Sequence, residues 1–316
     1  MIKQTQIIRN TTYSVAWRLI ISLSAVLLAA WLAGCTSVPV GEPTLTAITE
    51  VPIPAKRPPK IGLALGGGAA RGFAHIGVIQ VLEEAGIRPA VVAGTSAGSL
   101  VAALYASGKT GAQLQQMAET MDEGTFADWT LPIFNRGILR GDALARYVHT
   151  QVVGRLIEDM PLPLGILATD LNSGQGVLFQ RGDTATAVRA SSAVPAIFQP
   201  VRISGREYVD GGLVSPVPVR YARQMGAELV IAVDISSAPE TNPAADTLQI
   251  LMQTFTIMGK SINSLELKNA DVVVRPALNG VASADFGARR RAIQAGRVAM
   301  LQVLPQLKVA IEAGSR

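Results

Sequence analysis

The sequence predicts an α/β fold with a mostly parallel central sheet and helices on both faces. Short, nearly continuous apolar runs alternate with longer segments whose apolar residues recur every three or four positions, as in buried parallel strands joined by helices. Glycine-rich turns follow the first two runs, where a strand must pass sharply into a helix. Hydrophobic residues make up 49% of the 316 residues and charged residues 16%, so the chain is not a disordered polyelectrolyte.

Residues 1–34 have the pattern of an export signal. Lys3, Arg9 and Arg18 are the only charged residues of this segment, and residues 19–33 form an uncharged apolar stretch. As a helix that stretch rises only about 22 Å, which is short of the roughly 30 Å hydrocarbon core of a bilayer. We therefore interpret residues 1–34 as a signal peptide.

Cys35 is the only cysteine of the chain and ends the sequence Leu32-Ala33-Gly34-Cys35. This sequence resembles the lipobox of bacterial lipoproteins, in which the cysteine becomes the lipidated first residue after cleavage. The alternative is a lone cysteine at the end of a transmembrane helix. Thr36 follows where some lipoproteins have Asp, which favours the outer membrane, facing the periplasm, in a cell with two membranes. Residues 35–58 are rich in proline and predict an extended tether behind the lipidated cysteine.

The body of the chain, residues 59–316, is predicted to be one domain of alternating strands and helices. The apolar runs predict strands at 60–65, 90–93, 165–169, 176–180, 229–234 and 271–274. The three- and four-residue spacing predicts helices at 72–85, 99–107, 111–122, 141–153, 184–191, 216–225, 246–266 and 288–311. Because these strands are apolar almost throughout, we expect their sheet to be covered on both faces.

The composition argues against nucleic-acid and metal partners. Of the 28 basic residues, three lie in the first 34, which leaves 25 basic against 23 acidic residues and no basic stripe interleaved with aromatics. A single cysteine excludes an internal disulfide and a multi-cysteine metal site. His75 and His149 are too few for a His-rich zinc site, so we expect no metal and no other cofactor.

Ser96 lies in the sequence Gly94-Thr95-Ser96-Ala97-Gly98, between a predicted strand and a predicted helix. A GxSxG pattern in that setting is typical of a nucleophile elbow, whose strained backbone exposes the serine hydroxyl. Glycines on either side remove side chains that would collide at so tight a turn. The alternative is a plain strand-to-helix turn.

A nucleophilic serine needs a base, and no histidine lies where the usual triad requires one. In α/β-hydrolases the order is Ser, then Asp or Glu, then His near the end, but no histidine follows His149. We expect His75, inside a predicted helix, to be structural. Either Ser96 is inert or a carboxylate is its base. The candidate is Asp210, which precedes two glycines in a turn that a substrate can approach, although an Asp that merely opens a β-turn is the simpler interpretation of this residue alone.

Four segments in order resemble the signatures of the patatin-like phospholipase family. They are Gly66-Gly67-Gly68-Ala69-Ala70-Arg71-Gly72, Gly94-Thr95-Ser96-Ala97-Gly98, Ala190-Ser191-Ser192-Ala193-Val194-Pro195-Ala196-Ile197-Phe198-Gln199-Pro200 and Asp210-Gly211-Gly212. The resemblance covers roughly residues 58–235, and four ordered motifs are far more specific than any one of them. It implies a patatin-like three-layer fold for residues 59–316.

The resemblance also implies a Ser–Asp dyad acyl hydrolase, with Ser96 as nucleophile, Asp210 as general base and the turn Gly66-Gly67-Gly68 as oxyanion hole. The residues agree with this, because consecutive glycines between a strand and a helix can direct several N–H groups at one oxyanion. The family often has Asp before the glycine triplet, where this chain has Leu65. That departure bears on substrate preference or turn rigidity more than on the dyad.

Arg71 is the charged residue of the glycine turn. It is a candidate contact for a lipid phosphate, or else it caps and bridges within the fold. A dinucleotide site would need glycine at position 71, and the Gly-Lys-Ser or Gly-Lys-Thr of a P-loop is absent from this turn.

We therefore expect a membrane-anchored serine acyl hydrolase of the bacterial cell envelope that cleaves ester bonds of phospholipids or lysophospholipids. The alternative is a catalytically silent lipoprotein that keeps the fold for a structural or partner-binding role. The complete Ser, Asp and glycine-turn motifs favour the enzyme.

Overall fold

The structure is a computed structural model that describes residues 57–121, 137–238, 245–282 and 284–316. The predicted signal peptide, Cys35 and nearly all of the predicted tether lie outside the described residues. The described residues belong to one compact unit. No helix among them is long and apolar enough to cross a membrane.

The strands form from short runs rich in Val, Ile and Leu, such as LVIAV at Leu229–Val233, which is buried throughout. In chain order they are β1 (Ile61–Leu65), β2 (Val91–Thr95), β3 (Gly137–Leu139), β4 (Leu164–Asp170), β5 (Gly176–Phe179), β6 (Ala196–Phe198), β7 (Val201–Ile203), β8 (Arg206–Asp210), β9 (Leu229–Val233) and β10 (Val272–Val274).

Several helices begin at capping side chains. Thr110 and Gln113 form a capping box, and the carboxylates of Asp183 and Asp246 each accept an N–H from the first turn of the helix that follows. The helices are α1 (Ala74–Glu84), α2 (Ala97–Ala106), α3 (Gly111–Thr120), α4 (Asp142–Val152), α5 (Thr184–Ser191), α6 (Val219–Gln224), α7 (Thr247–Glu266) and α8 (Arg289–Gly314). Short 3₁₀ turns include Ala69–Phe73 before α1 and Gly211–Leu213 after β8.

The central sheet is mostly parallel, with the strand order β10-β9-β1-β2-β4-β8-β7. Strands β10, β9, β1, β2 and β4 run parallel to one another. Strand β8 is antiparallel to both β4 and β7, and β5 is antiparallel to β4 on its other edge. Strands β3 and β6 form a separate parallel pair. Because β1 and β2 are neighbours, the two glycine-rich turns that follow them lie side by side.

Helices cover both faces of this sheet. Leu63 and Leu65 of β1 belong to the larger core, which also contains residues of α1, α2, α3 and α8. Ala64, between them, belongs to a smaller core with residues of α6 on the opposite face. This alternation confirms the predicted three-layer arrangement.

The predicted elements recur within a few residues of their expected bounds, and the corrections concern short strands before Asp210 and the start of the helix after it. Strands β3, β6 and β7 are three residues each, too short to show a period. Strand β8 begins with the charged pair Arg206 and Glu207, and only its last three residues are buried, so the sequence shows no apolar run there. The helix predicted from 216 begins at Val219, because Pro216 and Pro218 precede it.

Candidate active site

Ser96 lies between β2 and α2 with a strained backbone. Its φ of 54° and ψ of −124° place this non-glycine residue at positive φ. Such a conformation costs about 1–3 kcal/mol, so the surrounding fold must hold it in place. This is the backbone geometry expected of a nucleophile elbow.

Glycines allow other backbone segments to approach the Ser96 turn closely. A Cβ atom at Gly98 would collide with the carbonyl of Leu65 in β1, and one at Gly94 would collide with the backbone of Gly98. A Cβ atom at Gly67 would lie 3.1 Å from the Cβ of Ser96. Glycine is therefore required here because a side chain would not fit between the two adjacent turns.

Two serine side chains hold the backbone of Ser96. Its N–H donates to Ser191 Oγ at 2.9 Å, and the Ser191 hydroxyl donates to Leu167 O at 2.5 Å. The Ser96 carbonyl accepts from the Ser99 hydroxyl at 2.6 Å and from the Ser99 N–H at 2.8 Å. Ser191 and Ser99 are fully buried. If the strained turn relaxed, these buried polar groups would lose their hydrogen-bond partners. The free-energy cost of that loss holds the turn in its strained conformation.

Strand β4 brings Asp210 to Ser96. Thr95, the last residue of β2, pairs with Leu167, and Asp210, the last residue of β8, pairs with the next residue, Ala168. Strand β5 pairs with β4 on its other side. Strands β2 and β8 therefore lie on the same side of β4, and their last residues meet there. The Ser96 side chain and the Asp210 carboxylate therefore line the same cavity, close enough for Ser96 to lower the pKa of Asp210.

Asp210 is fixed by further bonds and is buried. Its Oδ1 accepts the Gly212 N–H at 2.7 Å, its own N–H donates to Ala193 O at 3.0 Å, and its carbonyl accepts the Thr169 hydroxyl at 2.8 Å. Burial raises the pKa of Asp210 to about 6, although Ser96 and the Gly212 N–H act to lower it. The carboxylate is therefore ionised at neutral pH, yet it is a stronger base than an exposed aspartate.

The glycine turn offers fewer free donors than the sequence predicts. The Gly66 N–H donates to Val233 O at 3.1 Å, and the Gly67 N–H donates to Pro216 O at 2.9 Å. Both bonds hold the turn to neighbouring segments, so these two N–H groups are already engaged in this geometry, and the oxyanion hole expected at Gly66-Gly67-Gly68 stays a prediction. Within the described part of the chain, the Gly68 N–H has no hydrogen-bond partner. Of the predicted set, Gly68 is left as a donor.

The two histidines do not contact Ser96. His75 Nε2 lies 2.8 Å from the carbonyl oxygen of Gly66, and burial lowers the pKa of His75 to about 4. The ring is therefore neutral at pH 7, so Nε2 carries the proton and donates to Gly66, whereas Nδ1 has no partner among the described groups. His149 is exposed at the end of α4. No group of three or more potential metal ligands occurs in the described residues.

Two cavities meet at Ser96. The larger, of about 950 Å³, is lined by Asp210, Gly68, Arg71 and one face of α7. The smaller, of about 380 Å³, is almost entirely apolar. Its side chains come mainly from α1, α2 and α3 and the turn before them, and include Phe73, Ile76, Leu100, Leu104, Leu114 and Met117.

Arg71 forms part of the wall of the larger cavity. It is 7% exposed, and its Nε donates to Gly68 O at 3.4 Å. Burial lowers the pKa of Arg71, and the charge of Asp234 acts in the opposite direction. Because arginine stays protonated in proteins, the guanidinium is a buried cation beside the same cavity as Ser96.

Residues 63–223 match the model of the patatin-like phospholipase family, and this range contains both Ser96 and Asp210. The chain belongs to the patatin-like phospholipase family.

Curated relatives are similar in sequence, and a solved structure shares the fold. An uncharacterized NTE family protein of Mycobacterium tuberculosis is 39% identical over 189 residues, which cover 60% of this chain and 52% of the relative. Patatin-like phospholipase domain-containing protein 6 of Homo sapiens is 35% identical over 190 residues, 58% of this chain and 14% of that protein. The chain thus spans about half or less of the length of these curated relatives. The crystal structure of VipD from Legionella pneumophila superposes with a TM-score of 0.58 at 16% identity, covering 79% of this chain and 68% of VipD, which shows a shared fold.

Sequence reasoning did not assign the residues that support this patatin-like site. Ser191 bonds to Ser96 across 95 positions of the chain, so no local pattern links the two. The sequence indicates a role for Ser191 only through its place in segment 190–200, which resembles a family signature. His75 was expected to be structural, but its bond to the Gly66 carbonyl was not foreseen.

We expect Ser191→Ala to slow the reaction of Ser96 with a fluorophosphonate by about tenfold or more, because the Ser96 N–H loses its buried acceptor and the strained turn loses a restraint. The chain offers a matched control in Ser107→Ala. Ser107 lies just after the other end of α2 and its hydroxyl also donates to a carbonyl, Leu104 O at 2.7 Å. Labelling rates should be measured on folded protein, as judged by thermal unfolding. Equal rates for the two variants would contradict the role of Ser191.

Proposed function

We propose that this protein is a serine acyl hydrolase that cleaves phospholipid or lysophospholipid esters with Ser96 as nucleophile and Asp210 as general base. The observation that carries the proposal is the placement of the buried Asp210 carboxylate beside Ser96, which lies on a strained strand-to-helix turn. A pKa of about 6 suits Asp210 to accept a proton near neutral pH and to return it later in the cycle.

In the first step, Ser96 Oγ attacks the ester carbonyl carbon while Asp210 takes the hydroxyl proton. The carbonyl π electrons move to the oxygen, which becomes an oxyanion. When the tetrahedral intermediate collapses, the bond to the leaving alkoxide breaks and Asp210 gives it the proton. Water then attacks the acyl–serine ester while Asp210 accepts one of its protons. When this second intermediate collapses, the bond between Ser96 Oγ and the acyl carbon breaks, Asp210 returns the proton to Ser96 Oγ, and the fatty acid leaves.

The oxyanion would be bound by backbone N–H groups. Gly68 is one donor, and Ala97, the first residue of α2, is the other, because its N–H lies at the start of a helix and just after the nucleophile. The loss of one such donor typically costs about 10²-fold or more in turnover. His75 supports this arrangement indirectly, since it fixes the Gly66 carbonyl in the same turn.

The two cavities support a lipid with an acyl chain and an anionic headgroup. The apolar cavity suits an acyl chain, because it is lined almost wholly by hydrocarbon. The larger cavity has the Arg71 guanidinium in its wall, which suits a phosphate. Both cavities include Ser96 in their lining, so an ester between these two parts of the lipid would lie at the nucleophile.

The proposal includes attachment to the cell envelope through a lipid on Cys35, on the inner face of an outer membrane where the cell has two membranes. Its support is the lipobox-like sequence at residues 32–35 and the apolar segment before it. The domain begins near Arg57, whose N–H donates to Arg316 O. The residues between Cys35 and Arg57 reach at most about 75 Å when fully extended, which leaves the domain room to turn toward the bilayer.

We expect Ser96→Ala, Asp210→Asn and the double variant to fall to a similar low rate on a lysophospholipid or a short-chain ester. The loss should be about 10²- to 10⁴-fold, because each change disables the same proton-coupled step. Asp210→Asn is the sharper variant, since it keeps the size of the side chain. The control, His149→Gln, should stay near the parent rate. If Asp210→Asn keeps most of its activity, or His149→Gln loses most of its own, the pair is misassigned.

The same assay separates the enzyme from the silent alternative. The parent should react with a fluorophosphonate at Ser96, as shown by mass spectrometry of the labelled peptide. A folded parent that neither hydrolyses esters nor reacts with the probe would instead favour a catalytically silent lipoprotein.

For the anchor, we expect Cys35→Ala to abolish incorporation of a fatty-acid probe and to leave the signal peptide uncleaved, because Cys35 is the acceptor of the lipid. Thr36→Ala, one residue further on, should be labelled like the parent. Metabolic labelling followed by mass measurement of the purified protein reads out both effects. A labelled Cys35→Ala protein would rule out Cys35 as the lipidation site.

A further inference from the structure

Helix α7 has an outer face that is apolar and exposed. Ile250, Ile257, Met258 and Leu265 are 55%, 51%, 49% and 65% exposed. At 3.6 residues per turn they fall on one side of the helix, together with Thr254 and Ser261. Twelve large hydrophobic residues are exposed in the described part of the chain, and six of them lie on this helix. The exposed apolar surface is therefore concentrated there.

The outer face carries no charged side chain. The charged residues of α7 are Lys260 and Glu266. Lys260 is exposed at the margin of the outer face and also lines the larger cavity, whereas Glu266 is buried and accepts from the Arg220 N–H at 2.9 Å. A 20-residue helix with an apolar outer face and one exposed lysine at its margin suits the boundary between water and hydrocarbon, where the lysine can reach the headgroups.

The inner face of α7 belongs to the catalytic cavity. Leu248, Met252, Phe255 and Gly259 line the larger cavity, which also contains Ser96. The helix also packs against the 3₁₀ turn Gly211–Leu213 that directly follows Asp210. One helix therefore has the reaction site on one side and an uncharged apolar surface on the other.

We propose that α7 docks the protein on a lipid bilayer, with Ile250, Ile257, Met258 and Leu265 inserted among the acyl chains at the headgroup boundary. A lipid that leaves the bilayer beside α7 then passes around the helix into the Ser96 cavity without crossing open water. We assign the outer face of α7 to a lipid surface for two reasons. The helix lies between that face and a cavity suited to lipid, and the hydroxyl groups of Thr254 and Ser261 are compatible with the headgroup region of a bilayer. This use of the surface builds on the proposed function, but docking itself does not require a reactive Ser96.

The direct test places an environment-sensitive probe on α7. Since Cys35 is the only cysteine, the full chain with Cys35→Ala is cysteine-free and accepts a single label at Ile257→Cys. The matched control is Val309→Cys, because Val309 is also apolar, helical and 65% exposed but lies on α8. Both proteins are labelled with a nitrobenzoxadiazole dye and mixed with phosphatidylcholine vesicles with or without a lipid-borne spin quencher.

We expect the dye at Ile257 to brighten, by about twofold or more, and to be quenched by the spin-labelled lipid, as for a probe that enters hydrocarbon. The dye at Val309 should change little. Equal responses at the two positions, or no quenching at Ile257, would overturn the proposal. A dye at Ile257 that is already shielded before vesicles are added would also overturn it, because the face would then be covered by another part of the chain or by a second copy.

A second measurement links docking to catalysis. Ile257→Gln with Met258→Gln should lower hydrolysis of vesicle-borne phospholipid by about tenfold or more while hydrolysis of a soluble short-chain ester stays at the parent rate. The control pair on α8, Val298→Gln with Leu301→Gln, should leave both rates unchanged. An equal loss on both substrates would show a general structural effect and would contradict the docking role. If no variant or parent hydrolyses either substrate, the proposed function fails, whereas the probe experiment still decides whether α7 docks.

Discussion

The strained backbone of Ser96 is the constraint on which the rest of the site depends. A non-glycine residue at positive φ persists only where its surroundings hold it, and here the holding groups come from four parts of the chain. Ser191 and Ser99 bond its N–H and carbonyl, the glycines at 94 and 98 let β1 and α2 come close, and Gly67 leaves room for its side chain. The strained turn places Ser96 in the lining of the cavity that Asp210 also lines.

The mixed sheet explains how a carboxylate comes to lie beside Ser96. In a purely parallel sheet the carboxyl ends of all strands point in the same direction, and a residue that faces Ser96 would have to come from a loop. Here β8 is antiparallel to β4 and pairs with it on the same side as β2. The last residue of β8, Asp210, therefore lies opposite the end of β2. The burial that results from this position raises the pKa of Asp210 to about 6, so strand geometry and base strength have one cause. His75 is meanwhile kept neutral and is used to hold the glycine turn.

The parts of this protein that could be predicted are those written locally in the chain. The central strands, the helices and the GxSxG turn each have a period or a spacing that a short window shows. Asp210 could be identified as a candidate from its place before two glycines, but its strand could not, because β8 is half-exposed and begins with Arg206 and Glu207. The bond from Ser96 to Ser191 depends on the packing of α5 against β4, which no local pattern encodes. The engagement of the Gly66 and Gly67 N–H groups depends likewise on β9 and on the loop at Pro216, so the donors of the turn could be counted only in the folded chain.

The central claim is that ionised Asp210 activates Ser96, and the pH dependence of fluorophosphonate labelling at Ser96 tests it most directly, because it needs no lipid surface. The account predicts a labelling rate constant that is level above pH 6 and falls about tenfold per unit below it, since the protonated carboxyl can no longer accept the serine proton. Histidine ordinarily titrates near pH 6.5, so the same profile must persist in His149→Gln and vanish in Asp210→Asn. A decline centred near pH 4, or one that Asp210→Asn leaves in place, would contradict the account.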